Sequence, residues 1–379
     1  MTSAGICHNG TWPQSRLTPG LVRRLRPALA RSITYARPDD SSWRATLEAS
    51  RDLAELGVRN LVLFNTEAYG GTLRDITEAQ RQLARFLSIA RFEYDSPVHE
   101  IEPINEADTR GWDDGEGHPI TARLCADIAH AYHDVAAGYP GVGVIGPSFL
   151  GGPSSDLVRN TAILLAASGR IKTFAIHMYG RSIGGQPEPG WIWGTVEQGI
   201  EELSQYIGDM QIDLTEVGCW TQASGDQDAQ RRFVEALCHF DHPRVRNVYY
   251  FAASDWVVPD AEMAAGKDFG LIDRDGREKP AFAAFDGGLI VQKPQPEHPV
   301  FVLGFRKFAA LDPSLFGQPL ENEFGPWDFQ QAQRTTTGYF LWSKLPRGGS
   351  LSFLHNDGRK FRWDEGWPTY EQVRTDSRR

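Results

Sequence analysis

Val98-His99-Glu100-Ile101-Glu102-Pro103-Ile104-Asn105-Glu106 is an apolar run threaded with acids that stops on Asn-Glu. Its aliphatic residues and length read as a strand over Val98 to Ile104. Thr121, placed as a cap, opens an amphipathic helix that runs to Ala137. The same strand-then-helix pairing recurs on both sides. Upstream, strands are expected at Ser3–His8, Arg31–Arg37 and Val58–Phe64, and helices at Pro19–Pro27, from Ser41 or Ser42 to Leu56, and at Thr77–Phe92. Downstream, strands at Gly143–Gly146, Thr173–His177, Gln211–Glu216 and Arg246–Phe251 alternate with helices at Ser155–Ala167, Thr195–Ile207, Asp226–Phe240 and Lys279–Leu289.

Strands alternating with helices at this pitch demand parallel pairing. Eight such units in roughly 290 residues match the size of a (β/α)8 TIM barrel. The competing α/β architecture, a doubly wound open sheet, would bring a Gly-rich phosphate turn after its first strand. His8-Asn9-Gly10-Thr11-Trp12 is not such a turn. The expected fold is a TIM barrel over 1–290. A Pro-rich linker (291–300) follows it, running through Lys293-Pro294-Gln295-Pro296. Turn signals and short aromatic strands then mark a small β-rich domain over 301–370, and 371–379 reads as a frayed tail.

Composition bounds the partners. Apolar content of 41% and charged content of 23% are those of a globular domain. A net charge of −10 argues against a nucleic-acid partner, because no broad basic face fits that balance. No apolar run is long enough to span a membrane, and the first residues lack the basic-then-apolar pattern of a signal peptide. Localisation stays open. Cys7, Cys125, Cys219 and Cys238 show neither CxxC nor zinc spacing and are expected as free thiols, with no metal or cofactor.

In a TIM barrel the catalytic groups sit where strands end and βα-loops begin. Those ends carry His8, Arg37, Asn65 with Glu67, Asn105 with Glu106, His177 with Tyr179, Glu216, and Trp256 a little beyond the eighth strand. Each acid taken alone reads as a surface or capping residue. Glu106 and Glu216, after the fourth and seventh strands, would project into one central space. Two carboxylates facing each other there can divide the work of breaking a glycosidic bond. His177 reads equally as a core histidine. The eleven tryptophans suit sugar stacking and core packing alike. Trp112, Trp191, Trp193 and Trp220 fall in loops on the catalytic side.

Asn105-Glu106, His177-Met178-Tyr179-Gly180, Thr215-Glu216-Val217-Gly218 and the run Phe269 to Phe282, in that order, resemble the glycoside hydrolase clan A pattern. The resemblance implies that Glu106 is the general acid/base and Glu216 the nucleophile. It also implies that Asn105 bonds the sugar 2-hydroxyl, that Tyr179 orients Glu216, that Trp256 is an aromatic floor, and that His177 and Arg37 belong to the nucleophile's polar shell. Ile104 and Ala107 depart from the family, which often has an aromatic before the Asn and a Pro after the acid. The expectation is a retaining glycosidase acting on an equatorial, β-type linkage of a carbohydrate substrate. The rival is a barrel that binds carbohydrate without hydrolysing it, its C-terminal module serving in targeting or assembly. That module resembles LGFP-type repeats of cell-envelope proteins, which implies contact with the envelope or a polysaccharide.

Overall fold

The computed structural model divides into two compact units, Met1–Gln292 and Lys293–Arg379. It describes residues 2–9, 16–35, 41–65, 76–95, 97–109, 119–150, 152–184, 194–221, 226–257 and 268–287 of the first, and 324–327, 330–334, 338–345, 348–355 and 360–363 of the second.

In the first unit, eight parallel strands run β1 (Ser3–His8), β2 (Leu29–Tyr35), β3 (Arg59–Asn65), β4 (Glu100–Glu102), β5 (Gly143–Val144), β6 (Thr173–His177), β7 (Gln211–Val217) and β8 (Val245–Tyr250). Their order, β5-β4-β3-β2-β1-β8-β7-β6, is that of a ring opened at one seam. Across the seam Gly146 donates its amide to the Thr173 carbonyl (2.8 Å) and His177 to that of Phe149 (2.8 Å), so the barrel is nearly closed. Helices α1 (Pro19–Leu25), α2 (Ser41–Ala54), α3 (Ile76–Glu93), α4 (Ala122–Ala136), α5 (Asp156–Ser168), α6 (Val196–Ser204), α7 (Gln227–Cys238) and α8 (Pro280–Ala284) alternate with the strands. Several begin on the residues expected to start them. Thr18, Thr121 and Thr195 each accept an amide in the first turn, and Thr195 completes a capping box with Gln198.

Two boundaries differ from expectation in ways that matter. β4 stops at Glu102 because Pro103 has no amide to continue the ladder. β2 begins at Leu29, two residues early, so Arg31 stands inside a buried strand. The hydrophobic core lies between sheet and helices, where Trp43, Phe64 and Phe86 pack ring on ring. The barrel interior is tighter. A Cβ on Gly5 would come within 2.8 Å of the Tyr249 ring and 2.7 Å of Leu29 Cβ, so glycine there leaves room for Tyr249 to fill the lumen. Near the strands' N-terminal ends Arg246 bonds Asp213 (2.5 and 3.0 Å) and Glu100 (2.5 Å).

All four cysteines are free, and Cys238 alone is not fully buried. Among the described residues no helix is long and apolar enough to cross a membrane. The second unit holds a five-stranded antiparallel sheet in the order β13-β12-β11-β10-β9, from β9 (Phe324–Trp327) and β10 (Gln330–Arg334) through β11 (Gly338–Leu345) and β12 (Gly348–His355) to β13 (Lys360–Trp363). Phe340 pairs with Phe353, and Phe353 with Phe361.

Beyond β8, buried Lys279 holds Asp255 (2.9 and 3.1 Å), which also accepts the Gly270 amide (2.6 Å). Lys279→Met leaves that carboxylate buried without its cation. Urea unfolding should show a loss of about 3–5 kcal/mol, and Asp255→Asn in the same chain should recover part of it.

Candidate active site

Glu216 owes its position to an irregularity in β7. Strict alternation from Asp213, which faces the lumen network with Arg246, would turn Glu216 outwards. The register slips instead. Ile176 pairs with Leu214 but His177 with Glu216, and on the other side Val248 pairs with Leu214 but Tyr250 with Val217. One extra residue is thus accommodated in β7 before Glu216, a bulge that re-aims the carboxylate into the barrel. Glu106 is placed by a different device. Its φ is +49°, in the left-handed region that a non-glycine residue enters at a cost of about 1–3 kcal/mol. The surroundings hold it there. Ser148 Oγ accepts the Glu106 amide (3.2 Å), the Ser148 carbonyl accepts the Ala107 amide (3.0 Å), and Thr109 donates amide and hydroxyl to the Glu106 carbonyl (2.9 and 2.8 Å).

These two devices bring the carboxylates together. Oxygens of Glu106 and Glu216 and a nitrogen of His177 all lie within 4.8 Å of one another. His177 Nδ1 is 3.1 Å from Glu106 Oε1 and 3.6 Å from Glu216 Oε2. Tyr179 donates its hydroxyl to Glu216 Oε2 (2.6 Å). Arg31 Nη1 donates to Glu216 Oε1 (2.6 Å). The same guanidinium forks onto Glu102 (2.7 and 2.9 Å) and reaches Asn105 Oδ1 (2.8 Å). Arg31 is therefore fully buried and fully committed, a geometry only its planar fork provides. The Glu106–His177–Glu216 cluster also has the donor set of a metal site. The Arg31 charge on Glu216 opposes a cation there.

The electrostatics hold Glu216 as an anion. Burial works to raise the Glu216 pKa. His177, the Arg31 charge and the Tyr179 bond outweigh it, leaving Glu216 below the ordinary 4.5 and ionised. For His177, burial works against the charged ring, but the carboxylates of Glu216 and Glu106 more than compensate and lift it above 6.5. Burial holds the Tyr179 phenol well above 10, so it stays a donor.

Other expected residues lie around this centre. Asn65 Oδ1 accepts the Asn105 amide (3.4 Å). His8 is buried against Ser32 Oγ (2.8 Å), and burial, with Arg16, lowers its pKa to about 3, so it is neutral. Trp220 packs edge-on against Phe269, and Phe269 with Phe251 packs against Tyr179. Trp256 stands on a short 3-10 turn with the Arg274 guanidinium over its ring (5.3 Å). Arg37, Glu67, Trp112, Trp191 and Trp193 lie outside the described residues. Arg31 and Glu102 are the groups that sequence reading missed. Their signal was charge inside apolar strands, at alternate positions facing one lumen.

No family model matches the chain, and no curated protein matches its sequence. Solved structures share its fold. A GH5_18 protein from Streptomyces cattleya in complex with GlcNAc is similar at a TM-score of 0.55 and 15% identity, over 78% of this chain and 82% of that one. A GH39 β-xylosidase from Caulobacter crescentus is similar at 0.53 and 15%, over 90% and 77%. A GH5_18 variant from Bifidobacterium longum bound to Manβ1-4GlcNAc is similar at 0.54 and 15%, over 78% and 79%. The likeness is one of architecture: the barrel is built as glycoside hydrolases of families 5 and 39 are built.

Two predictions follow from the clamp. Arg31→Met leaves Glu102 and Glu216 buried without a cation and should cost about 3–5 kcal/mol in urea unfolding; Arg31→Met with Glu102→Leu should cost less than the single change. The second concerns pH. A His177 pKa raised in the folded state contributes stability that is complete below pH 6.5 and is lost as pH rises through the raised value. The lowered Glu216 pKa contributes stability present above 4.5 and lost as pH falls through the folded value. The stability difference between wild type and His177→Gln should therefore be flat between about pH 5 and 6.5 and shrink above it. A difference that grows with pH would contradict the assignment.

Proposed function

We propose that the barrel is a retaining glycoside hydrolase acting on an equatorial, β-configured linkage. The observation that carries this reading is the unequal treatment of two carboxylates sharing one space. Glu216 is fixed by Arg31 and Tyr179 and kept ionised. Glu106 is held among the described residues by His177 alone, and its side chain is 13% exposed. Their oxygens approach within 4.8 Å. That supports retention, for which the carboxyl groups stand about 5–5.5 Å apart, over inversion, which needs roughly 6.5–9.5 Å. The fold shared with a β-xylosidase and with GH5_18 proteins that bind GlcNAc-containing ligands is consistent with a carbohydrate substrate.

In the first step a Glu216 oxygen attacks the anomeric carbon while Glu106 gives its proton to the departing glycosidic oxygen. A glycosyl ester forms and the C–O bond to the leaving group breaks. In the second, the Glu106 carboxylate takes a proton from water, whose oxygen attacks the anomeric carbon and releases Glu216 as carboxylate. Arg31 occupies Asn105 Oδ1, so the amide nitrogen of Asn105 is turned to donate to the sugar 2-hydroxyl, a bond that strengthens in the oxocarbenium-like transition state. Tyr179 and Arg31 withdraw charge from Glu216 as the ester forms and receive it again as the ester breaks. Asn65 keeps the Asn105 backbone in place, and His177 steers the Glu106 carboxyl towards the leaving oxygen. Trp220 and Trp256 are proposed as aromatic walls for flanking sugar rings.

Glu216→Gln should abolish turnover of every aryl glycoside, because an amide is a poor nucleophile. Glu106→Ala should behave differently. Dinitrophenyl glycosides, whose leaving group needs no proton, should still form the ester, and the slow second step should be rescued by azide with release of a glycosyl azide of retained configuration. Identical profiles for both variants, with no azide rescue, would sink the division of roles. Tight oligosaccharide binding by the wild type with no sugar released would favour a binding barrel instead.

A further inference from the structure

Beside the carboxylate pair, the loops after β5 and β6 enclose a cavity of about 170 Å³ lined by Leu150, Gly152, Ser154, His177, Met178, Tyr179 and Arg181. Two of these residues, His177 and Tyr179, are the partners of Glu106 and Glu216, so the cavity adjoins the carboxylate pair through them. Arg181 is the guanidinium among its described lining residues, beside the His177 ring. Elsewhere in the barrel Arg31 faces Glu102 and Glu216, Arg246 faces Asp213 and Glu100, and Lys279 faces Asp255. Arg181 has no carboxylate within ion-pair distance among the described residues.

Its guanidinium is nonetheless held. Nη1 donates to the Thr195 carbonyl (3.1 Å). The group lies against Gly199, where a Cβ would come 3.2 Å from the guanidinium carbon, and against Gly152, where one would come 3.8 Å from Nη2. Gly199 thus leaves space for a charge that no carboxylate among the described residues neutralises. Thr195 caps α6, so the helix's positive end adds to the local potential. An uncompensated cation fixed in a cleft, in a chain of net charge −10, is unfavourable until a ligand supplies the opposite charge. A guanidinium with one nitrogen anchored and another facing open space suits an oxyanion on a sugar.

Resting on the hydrolase reading, we propose that Arg181 selects an anionic saccharide, one whose ring beside the β5 and β6 loops carries a carboxylate, as in a uronic acid, or a sulfate ester. The anion accepts from Arg181 Nη2, with the Ser154 hydroxyl beside it in the same cavity. Arg181 takes no part in bond breaking.

The test uses disaccharides matched except for a carboxylate or a sulfate ester at C6, placed in turn on the non-reducing and the reducing ring. Hydrolysis gives kcat/KM and calorimetry gives Kd. The expected result is that one anionic member is preferred over its neutral parent by about 10–100-fold. Arg181→Gln should erase that preference while leaving the neutral parent's rate within about threefold, and Arg181→Lys should keep part of it. Added salt should weaken only the anionic ligand in the wild type, a readout that stands even if Arg181→Gln fails to fold. The carboxylate and sulfate arms identify which anion is taken. Neutral and anionic members cleaved alike, or a preference unchanged in Arg181→Gln, would overturn the inference and leave the hydrolase reading intact. If nothing is cleaved, the hydrolase reading falls, and equal Kd values for anionic and neutral members would remove the anion site as well.

Discussion

One guanidinium organises the catalytic end of this barrel. Arg31 rises from β2 and reaches strand-end groups on opposite sides of the lumen: Glu102 and Asn105 around β4, and Glu216 on β7. A buried ion pair is rarely worth its desolvation, so stability does not explain this arrangement well. Position does. Five donors in a rigid plane can fix three acceptors at once, and each acceptor is thereby fixed relative to the others. Glu102, paired through both oxygens, offsets the charge of the arginine and prevents it from simply binding Glu216 as tightly as possible. What reaches Glu216 is one short bond from a shared cation, which together with His177 and Tyr179 keeps it ionised.

Much of the architecture was legible because it rests on periodicity. Strand–helix alternation, threonine caps at Thr18, Thr121 and Thr195, and the missing phosphate turn after β1 are local signals, and local chemistry decides them. The residues after β4, β6 and β7 could be read for the same reason, since strand ends in a barrel share one face. Arg31 could not. A charge at the apparent start of a strand looks like a boundary, and only the pairing of Leu29 with Gly5 and Arg59 shows that β2 has already begun. Glu216 was expected to project inwards, but the device that aims it there was hidden. Simple alternation from Asp213 sends it the wrong way, and the correcting bulge exists only in the register between three strands. Arg37, the basic candidate at that strand's end, lies outside the described residues, and the guanidinium seen on Glu216 is that of Arg31, six residues upstream.

The barrel uses charge in its interior in three distinct ways, and the differences say what each is for. In the Arg246–Asp213–Glu100 group, near the strands' N-terminal ends, one cation is shared by two acids, and burial raises the Asp213 pKa without leaving that acid unpaired. The Arg31 group likewise shares one cation between two acids, Glu102 and Glu216, and adds Asn105 as a neutral acceptor. Arg181 is not balanced at all among the described residues. On the proposed reading the three run from scaffold, through chemistry, to selection.

The contrast between the two glutamates follows the same logic. In the proposed mechanism the nucleophile must present one ionised oxygen at one place throughout the cycle, and Glu216 is bonded at both oxygens and 7% exposed at its side chain. The group proposed to give and take a proton must tolerate both of its forms. Glu106 suits that need by being constrained through its backbone instead. Its left-handed φ and the bonds to Ser148 and Thr109 fix where the side chain starts, while the carboxyl itself answers to His177. Strain stored in the main chain costs the same whether the carboxyl is charged or neutral. It can therefore fix the direction of an acid without favouring either protonation state, which a bond from arginine could not do.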